Sequence, residues 1–343
     1  MPKFISSPPM YSRRISAIAL LSGGLDSALA IHLVKRQGIE VTALHFASFF
    51  SPLDLTKEDS PVQILAKNLG VPLIVMQKGD DFVELIRNPR YGLGKNLNPC
   101  IDCRIYTFVR AKKLMEDMGA SFIVTGEVAG QRPMSQRKNT MRLIDKRSGC
   151  EGLVLRPLSA KILPATIPET QGLVDRERLL GVTGRGRKTQ LALAAELGLT
   201  GYSPPAGGCL LTDPGFARRL RDLLDDSVDI SKSDLELLRV GRHIRLRPGL
   251  KIVVGRNEDE NIRITDLAVE GMLFAPKDFP GPVVLALDQP EPEEETLIGS
   301  ILLRYVKESA RGKQITVHYP DGSDHIMPIT DVAAEDWIRN HMI

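Results

Sequence analysis

No apolar stretch of this 343-residue chain runs far enough to cross a bilayer. Gly, Asp or Ser interrupts each one well before the ~18 residues that a span needs. The first fourteen residues hold Pro8, Pro9, Arg13 and Arg14 but no apolar core. A signal peptide is therefore not expected, no membrane partner is implied, and the expected compartment is the cytoplasm. Cysteine is rare, at positions 100, 103, 150 and 209. In a reducing compartment four such residues argue against a structural disulfide framework. Aromatic residues make up 5% with one Trp, and there is no internal repeat. The composition is otherwise that of an ordinary globular protein, long enough for two or three domains with separate cores.

The two commonest phosphate-binding loops are also missing. The chain has neither Gly-x-x-x-x-Gly-Lys-Ser/Thr nor Gly-x-Gly-x-x-Gly. In their place stands Ser22-Gly23-Gly24-Leu25-Asp26-Ser27, after the apolar run Ile15 to Leu21 and before the helix-like run Ala28 to Val34. A strand, a tight glycine turn and a helix follow from that pattern. Two glycines let the backbone curl with its N–H groups inward, and the helix N-terminus adds partial positive charge. Ser22 and Ser27 add hydroxyl donors, so the nest suits a phosphate or pyrophosphate. Asp26 beside an anion makes sense if it orients the loop or holds Mg²⁺.

Residues 15–125 alternate strand signals (Ala17–Leu21, Val41–Phe46, Leu73–Met76, Phe122–Thr125) with helix signals (Ser27–Gln37, Pro61–Leu69, Arg104–Met118). The alternation predicts an α/β fold with a parallel sheet and a ligand at the C-terminal strand edge. Three strand ends then face one pocket: Ser22–Ser27, His45–Ala47 and Gly126–Glu127. Residues 161–226 read as a helical extension, with helices over Val174–Leu180, Thr189–Leu197 and Pro214–Leu224. Residues 227–343 change character: Ile244–Arg247 and Lys251–Val254 alternate as short antiparallel strands, and the Pro/Glu-rich Asp288–Glu295 reads as a flexible loop. The expected plan is a flexible N-terminus over 1–14, a nucleotide-binding domain over 15–160, the helical extension over 161–226 with Cys209, and a smaller β-rich domain over 227–343.

The net charge of +3 hides an uneven distribution. Between Gln131 and Lys188 there are 13 Lys/Arg against 5 Asp/Glu. A second basic set comprises Arg239, Arg242, Arg245, Arg247, Lys251 and Arg256. Such regions suit a phosphate-rich partner such as RNA, or are solvated surface; counting charges does not separate the two.

Cys100-Ile101-Asp102-Cys103 is a close pair, and Cys209 ends the turn Pro205-Ala206-Gly207-Gly208. Three chemistries fit: incidental thiols, a dithiol or persulfide site in which Cys209 carries sulfur and Cys103 resolves it, or three thiolates on an iron–sulfur cluster. Cys150 has no partner nearby in sequence and reads as incidental.

Ser-Gly-Gly-x-Asp-Ser after an N-terminal strand resembles the PP-loop of the ATP pyrophosphatase superfamily. Asn98-Pro99-Cys100-Ile101-Asp102-Cys103 is similar to the Asn-Pro-Cys-x-x-Cys segment of tRNA-thiolating PP-loop enzymes. Thr125-Gly126-Glu127-Val128-Ala129-Gly130-Gln131 with Ser135-Gln136, and then Arg156-Pro157-Leu158, resemble segments of the tRNA 4-thiouridine synthetases, in family order. The chain departs from those enzymes in two ways: no RNA-binding THUMP domain is found before the loop, and no rhodanese domain after it. The trio Cys100, Cys103 and Cys209 is instead similar to the ligand set of iron–sulfur-dependent tRNA thiolases. Residues 230–290, with Ile252-Val253-Val254-Gly255-Arg256-Asn257-Glu258 and Asn261, resemble the NFACT-R domain, a predicted RNA-binding module.

The resemblance implies an ATP-dependent tRNA sulfurtransferase. Ser22, Gly23, Gly24, Asp26 and Ser27 would hold ATP, with His45, Phe46, Gly126 and Glu127 around it and Mg²⁺ at Asp26. Asp26, Cys103 and Cys209 would be catalytic. Cys100, Cys103 and Cys209 would bind a [4Fe-4S] cluster. Arg132, Arg137, Lys138 and Arg142 would contact tRNA. The sulfur donor would be sulfide or a cysteine desulfurase, and a homodimer is compatible with this plan. The expected product is 4-thiouridine. The rivals are 2-thiouridine or 2-thiocytidine formation, a small-molecule sulfurating or ligating enzyme, and an RNA-binding factor without activity.

Overall fold

The computed structural model describes residues 15–51, 60–203 and 209–343. The N-terminus 1–14 and the Pro205–Gly208 turn read from the sequence lie outside the described residues. The chain divides into two compact units, Met1–Cys209 and Leu210–Ile343.

The first unit runs β1 (Ser16–Leu20), α1 (Leu25–Lys35), β2 (Glu40–Ala47), α2 (Pro61–Leu69), β3 (Leu73–Gln77), α3 (Asp80–Arg87), α4 (Cys100–Asp117), β4 (Phe122–Thr125), α5 (Lys138–Arg147), β5 (Val154–Leu155), α6 (Ile167–Thr170) and α7 (Lys188–Glu196). Its strands form a parallel sheet in the order β3-β2-β1-β4-β5. β1 lies at the centre because every face of it can be buried: Ala17 and Ala19 join the core beside α1 and α2, while Ile18 and Leu20 pack with Phe108, Ala111 and Met115 of α4. Helices on both faces are what a parallel sheet requires. Each fully buried Leu, Ile or Phe contributes roughly 1.5–3 kcal/mol. The start of α2 is set locally: Ser60 accepts from the Gln63 amide at 3.4 Å, Gln63 Oε1 accepts from the Ser60 amide at 3.1 Å, and Pro61 fills the first turn. Gly70 ends it at φ +60°.

The second unit runs α8 (Pro214–Asp226), α9 (Lys232–Leu237), β6 (Arg242–Arg247), β7 (Leu250–Val254), α10 (Glu258–Leu267), β8 (Met272–Pro276), β9 (Val284–Ala286), α11 (Pro292–Arg304), β10 (Gln314–His318), β11 (Asp324–Pro328) and α12 (Glu335–His341). Six strands make one antiparallel sheet, β11-β10-β8-β9-β7-β6. Ile298, Ile301 and Leu302 of α11 bury against Ile252, Phe274, Val284 and Ile315 of that sheet. The fold is thus α/β, with a parallel nucleotide-type sheet followed by a smaller antiparallel one.

Several local expectations change. The Pro/Glu-rich loop ends in a helix: Pro292 opens α11 and Glu293, Glu294 and Glu295 occupy its first turn. Proline at the first position and carboxylates near the positive helix end are start signals, not loop signals. Val174–Leu180 contains only a short 3₁₀ turn at Arg176–Arg178. The stretch 161–226 falls partly in each unit. α4 begins at Cys100 rather than Arg104, which places both paired cysteines on the helix.

His243 of β6 is 2% exposed, with Nε2 3.1 Å from the Leu237 carbonyl and 3.0 Å from the Val240 carbonyl. Carbonyls only accept, so Nε2 carries the proton. Burial, then the charges of Lys251 and Arg219, lower its pKa from 6.5 to about 3. The unfolded chain binds that proton near 6.5, so the stability present above that pH is lost progressively as pH falls toward about 3. The loss runs to about 1.4 kcal/mol per pH unit. Trp337, the one tryptophan, lies in this unit and reports its unfolding. The urea midpoint read by its fluorescence should drop between pH 7 and pH 5, and His243→Gln should shrink that drop; an equal drop in both proteins would refute the assignment.

Candidate active site

The loop after β1 is closed by its own side chains. Ser27 Oγ donates to the Gly24 carbonyl at 2.8 Å, accepts from the Ser22 amide at 3.3 Å and sits 3.2 Å from Ser22 Oγ. Gly23 takes φ +84°, which a residue with a Cβ rarely adopts. The Ser203 amide donates to the Gly23 carbonyl at 2.9 Å, holding the segment that leads toward Cys209 against the loop. Asp26 Oδ2 accepts from Gln131 Nε2 at 2.8 Å. Asp26 Oδ1 is buried with no hydrogen-bond partner. An unsatisfied carboxylate oxygen at the helix end of a phosphate nest fits a bound cation such as Mg²⁺.

β4 delivers the next residues. A Cβ at Gly126 would stand 2.4 Å from the Ser27 nitrogen and 2.5 Å from the Asp26 carbonyl carbon. Only glycine lets the end of β4 approach the N-terminus of α1 this closely. Glu127 is 3% exposed and engaged with two arginines: Arg156 Nε donates to its Oε2 at 3.0 Å, and Arg104 Nε lies 3.1 Å from Oε1. Arg156 also forks onto Asp145 at 2.9 and 2.7 Å. Burial alone would lower the Arg156 guanidinium; Glu127 and Asp145 reverse that and hold it above its ordinary value. Glu127 therefore sits at the centre of a buried ion network, with Oε1 lacking a hydrogen bond.

His45 of β2 is buried, with Nδ1 2.7 Å from the Leu21 carbonyl and Nε2 without a partner. Nδ1 carries the proton, which leaves Nε2 as an acceptor. Burial, and after it the Lys78 charge against the pull of the Leu21 bond, lower its pKa, so the ring is neutral near pH 7. Phe46 instead packs against the core on the α4 face.

Cys100 and Cys103 occupy the first turn of α4, three residues apart and so on one side of it. Lys78, just past the end of β3, donates to Cys103 Sγ at 3.1 Å and lies 4.0 Å from the centroid of Phe82. Phe82 packs on Phe50 at 5.9 Å, and Cys209 Sγ donates to the Phe50 carbonyl at 3.5 Å. These contacts set Cys209 against Phe50 and connect Cys103, through Lys78, to Phe82, while Cys100 stands one turn from Cys103 on α4. Burial and then Cys103 raise the Cys100 thiol, against Arg132, Arg104 and Asn98. Among the described residues no three His, Cys, Asp or Glu side chains converge on a single-ion site. A four-iron cluster takes one thiolate per iron, and Cys100, Cys103 and Cys209 are the thiols that would supply them. Cys150 is fully buried with Sγ 3.6 Å from the Phe108 carbonyl.

Of the basic residues expected at RNA, Lys138 and Arg142 line one cavity of ≈ 550 Å³ with Asp145, Arg156 and Thr166. Lys138 Nζ already donates to the Ile162 carbonyl at 2.9 Å. Arg132 and Arg137 are exposed outside it. Sequence reasoning passed over Lys78, Arg104 and Asp145. Lys78 was within reach of the strand-end rule; the other two sit mid-helix and only packing reveals them.

Residues 14–161 match the family model for thiamine biosynthesis protein ThiI, and residues 241–342 match that for the NFACT protein RNA binding domain. The chain's relatives include the tRNA-specific 2-thiouridylase MnmA of Fervidobacterium nodosum, 36% identical over 129 residues, covering 32% of this chain and 36% of the relative. That of Methylorubrum populi is 24% identical over 289 residues, covering 76% and 71%. The match to the first of these spans about a third of the relative's length. A solved 4-thiouridine synthetase–RNA complex with bound ATP aligns at 21% identity and TM-score 0.39, over 65% of this chain and 52% of that one.

Two substitutions test the site. Gly126→Ala should lower stability by about 1–3 kcal/mol through overpacking and weaken ATP binding measured calorimetrically, while Gly186→Ala, which meets nothing within 4 Å, should do neither. Arg156→Met leaves buried Glu127 with Arg104 alone and part-buried Asp145 without its guanidinium, and should cost about 3–5 kcal/mol in urea titration. A loss within error of zero would show that the network contributes nothing to the fold.

Proposed function

We propose that the protein is an ATP-dependent tRNA sulfurtransferase that forms 4-thiouridine. The observation that carries this reading is one unit holding both a closed phosphate nest with an unsatisfied Asp26 oxygen and, near it in the fold, Cys100 and Cys103 on the first turn of α4 with Cys209 bonded to the Phe50 carbonyl. The ThiI and NFACT matches support an RNA substrate.

The amides of Gly23, Gly24 and Asp26 bind the pyrophosphate portion of ATP, with Ser22 and Ser27 closing the loop through their hydroxyls. Asp26, oriented by Gln131, holds Mg²⁺ through Oδ1. His45 Nε2 accepts a hydrogen bond from the adenine side. The uracil O4 attacks the α-phosphorus and pyrophosphate leaves, so the poor leaving group becomes adenylate. Sulfur then adds to C4 and AMP departs. The protein's work is positioning and charge neutralisation. Cys100, Cys103 and Cys209 would hold the [4Fe-4S] cluster, which when bound would present a sulfide taken from outside as the nucleophile. Lys78 stabilises the Cys103 thiolate by hydrogen bond. In the persulfide version the terminal sulfur of a Cys209 persulfide, loaded by a cysteine desulfurase, adds to C4 as AMP leaves; the Cys103 thiolate then attacks Cys209 Sγ, releasing the thiouridine and forming a Cys103–Cys209 disulfide that an external dithiol reductant reopens. Arg132, Arg137 and Arg142 contact tRNA phosphates.

A second reading, 2-thiouridine formation, is favoured by the 2-thiouridylase relatives. One assay separates them. Protein purified without oxygen and supplied with iron, sulfide and Mg-ATP should convert unmodified tRNA, with nucleosides identified by mass spectrometry. A 4-thiouridine peak lost in Cys100→Ala, Cys103→Ala and Cys209→Ala, alongside iron–sulfur absorbance, is the expected result; Asp26→Ala should abolish AMP release. A 2-thiouridine peak would select the second reading. AMP and pyrophosphate without any thionucleoside would remove tRNA as the substrate.

A further inference from the structure

The cations of the second unit fall into two classes. The basic set conspicuous in the sequence is already engaged. Arg245 donates to Asp222 at 3.1 and 2.7 Å and to Asp226 at 2.9 Å. Lys251, 4% exposed, lies 3.3 Å from Asp222. Arg247 forks onto Glu294 at 2.7 and 3.2 Å, and Arg256 lies 2.9 Å from Glu260. Arg242 stacks over Tyr305 at 4.5 Å. A phosphate reaching Arg245, Arg247, Lys251 or Arg256 would first have to displace a carboxylate.

The second class lies on the loop between α11 and β10. Lys307, Arg311 and Lys313 fall within seven residues. Among the described residues none of their side chains has a carboxylate partner. Arg311 Nε is buried with no hydrogen-bond partner at all. Lys277, which follows β8, donates only to the neutral Gln314 Oε1 at 3.2 Å. Packing joins the two segments. A Cβ at Gly312 would stand 2.1 Å from Phe279 Cδ1, and one at Gly281 would stand 2.9 Å from Val306 Cγ2. Loop 306–313 is therefore pressed onto residues 277–281 with Phe279 beneath it. These two segments carry four cations and two carboxylates, Asp278 and Glu308, with Asp278 Oδ1 standing 2.4 Å from where that Gly312 Cβ would be. Elsewhere in the unit, Arg263 stands on a helix with Asp259 and Asp266 one turn to either side, and Arg218 and Arg221 precede the matched residues 241–342.

We propose that Lys277, Lys307, Arg311 and Lys313 form the RNA-contact surface of the second unit, binding backbone phosphates without regard to sequence. This rests on the RNA-modifying reading above. Uncommitted cations release counterions when they meet phosphate, whereas cations already paired with carboxylates release fewer.

The test uses the full chain and unmodified tRNA, with affinity measured by fluorescence anisotropy across a KCl series. The triple variant Lys307→Gln/Arg311→Gln/Lys313→Gln should bind about tenfold more weakly at low salt, and the slope of log K against log salt should fall by about 2–3. Arg256→Gln should stay within about twofold of the parent. The Trp337 unfolding midpoint checks that each variant is folded. Unchanged affinity and slope in a folded triple variant would overturn the surface while thiolation by the parent protein left the wider reading standing. If the triple variant loses binding to polyglutamate or anionic vesicles but keeps tRNA, the face serves another anion and the assignment is overturned. No tRNA binding by the parent protein at any salt would overturn both.

Discussion

The buried Arg156–Glu127 contact is the interaction on which the first unit's working edge depends. Arg156 comes from the end of β5, Glu127 from the end of β4, Arg104 from the cysteine helix and Asp145 from α5. Two carboxylates and two guanidinium groups meet where charge is expensive to bury. Each is tolerable only because the others are present. The network therefore fixes four elements relative to one another at the sheet's C-terminal edge. α4 cannot shift without stranding Glu127, so Cys100 and Cys103 inherit the position of a buried salt bridge rather than that of a surface loop.

The phosphate loop depends on the same edge through sterics instead of charge. Gly126 directly precedes Glu127, so the residue that admits α1 is adjacent to the one that anchors α4. Ser22 and Ser27 close the loop on itself, which leaves amides for a ligand and one Asp26 oxygen without a partner. A nest that satisfies its own hydroxyls before ligand arrives loses little entropy on binding.

Much of this was legible in the sequence. Strand and helix alternation and the Ser-Gly-Gly-x-Asp-Ser turn announced the parallel sheet and its loop, because both are short-range patterns tied to backbone geometry. The antiparallel pairing of β6 with β7 was readable for the same reason. What was not legible depends on contacts between distant residues. Glu127 sits in a motif beside the phosphate loop, and its ion-pair partners Arg156 and Arg104 lie 29 and 23 residues away along the chain. α11 was hidden by composition: proline and three glutamates look like a loop until the apolar residues behind them, Leu297 to Leu303, are read as one helical face.

Charge shows the limit most clearly. A run such as Arg245-Leu246-Arg247 draws attention as a basic stripe because both arginines stand on one strand. A β-bulge between Arg245 and Arg247 breaks the alternation, and each finds its carboxylate on a different helix: Asp222 and Asp226 on α8, Glu294 on α11. The stripe's charge is cancelled by residues some twenty to fifty positions away, which no window along the chain can see. Lys307, Arg311 and Lys313 make a weaker signal in sequence, diluted by Glu308 and Gly312, yet their charge is left uncancelled. Electrostatic partners are chosen by what remains after the fold has satisfied its own pairs, so the informative quantity is the unpaired cation and not the basic residue.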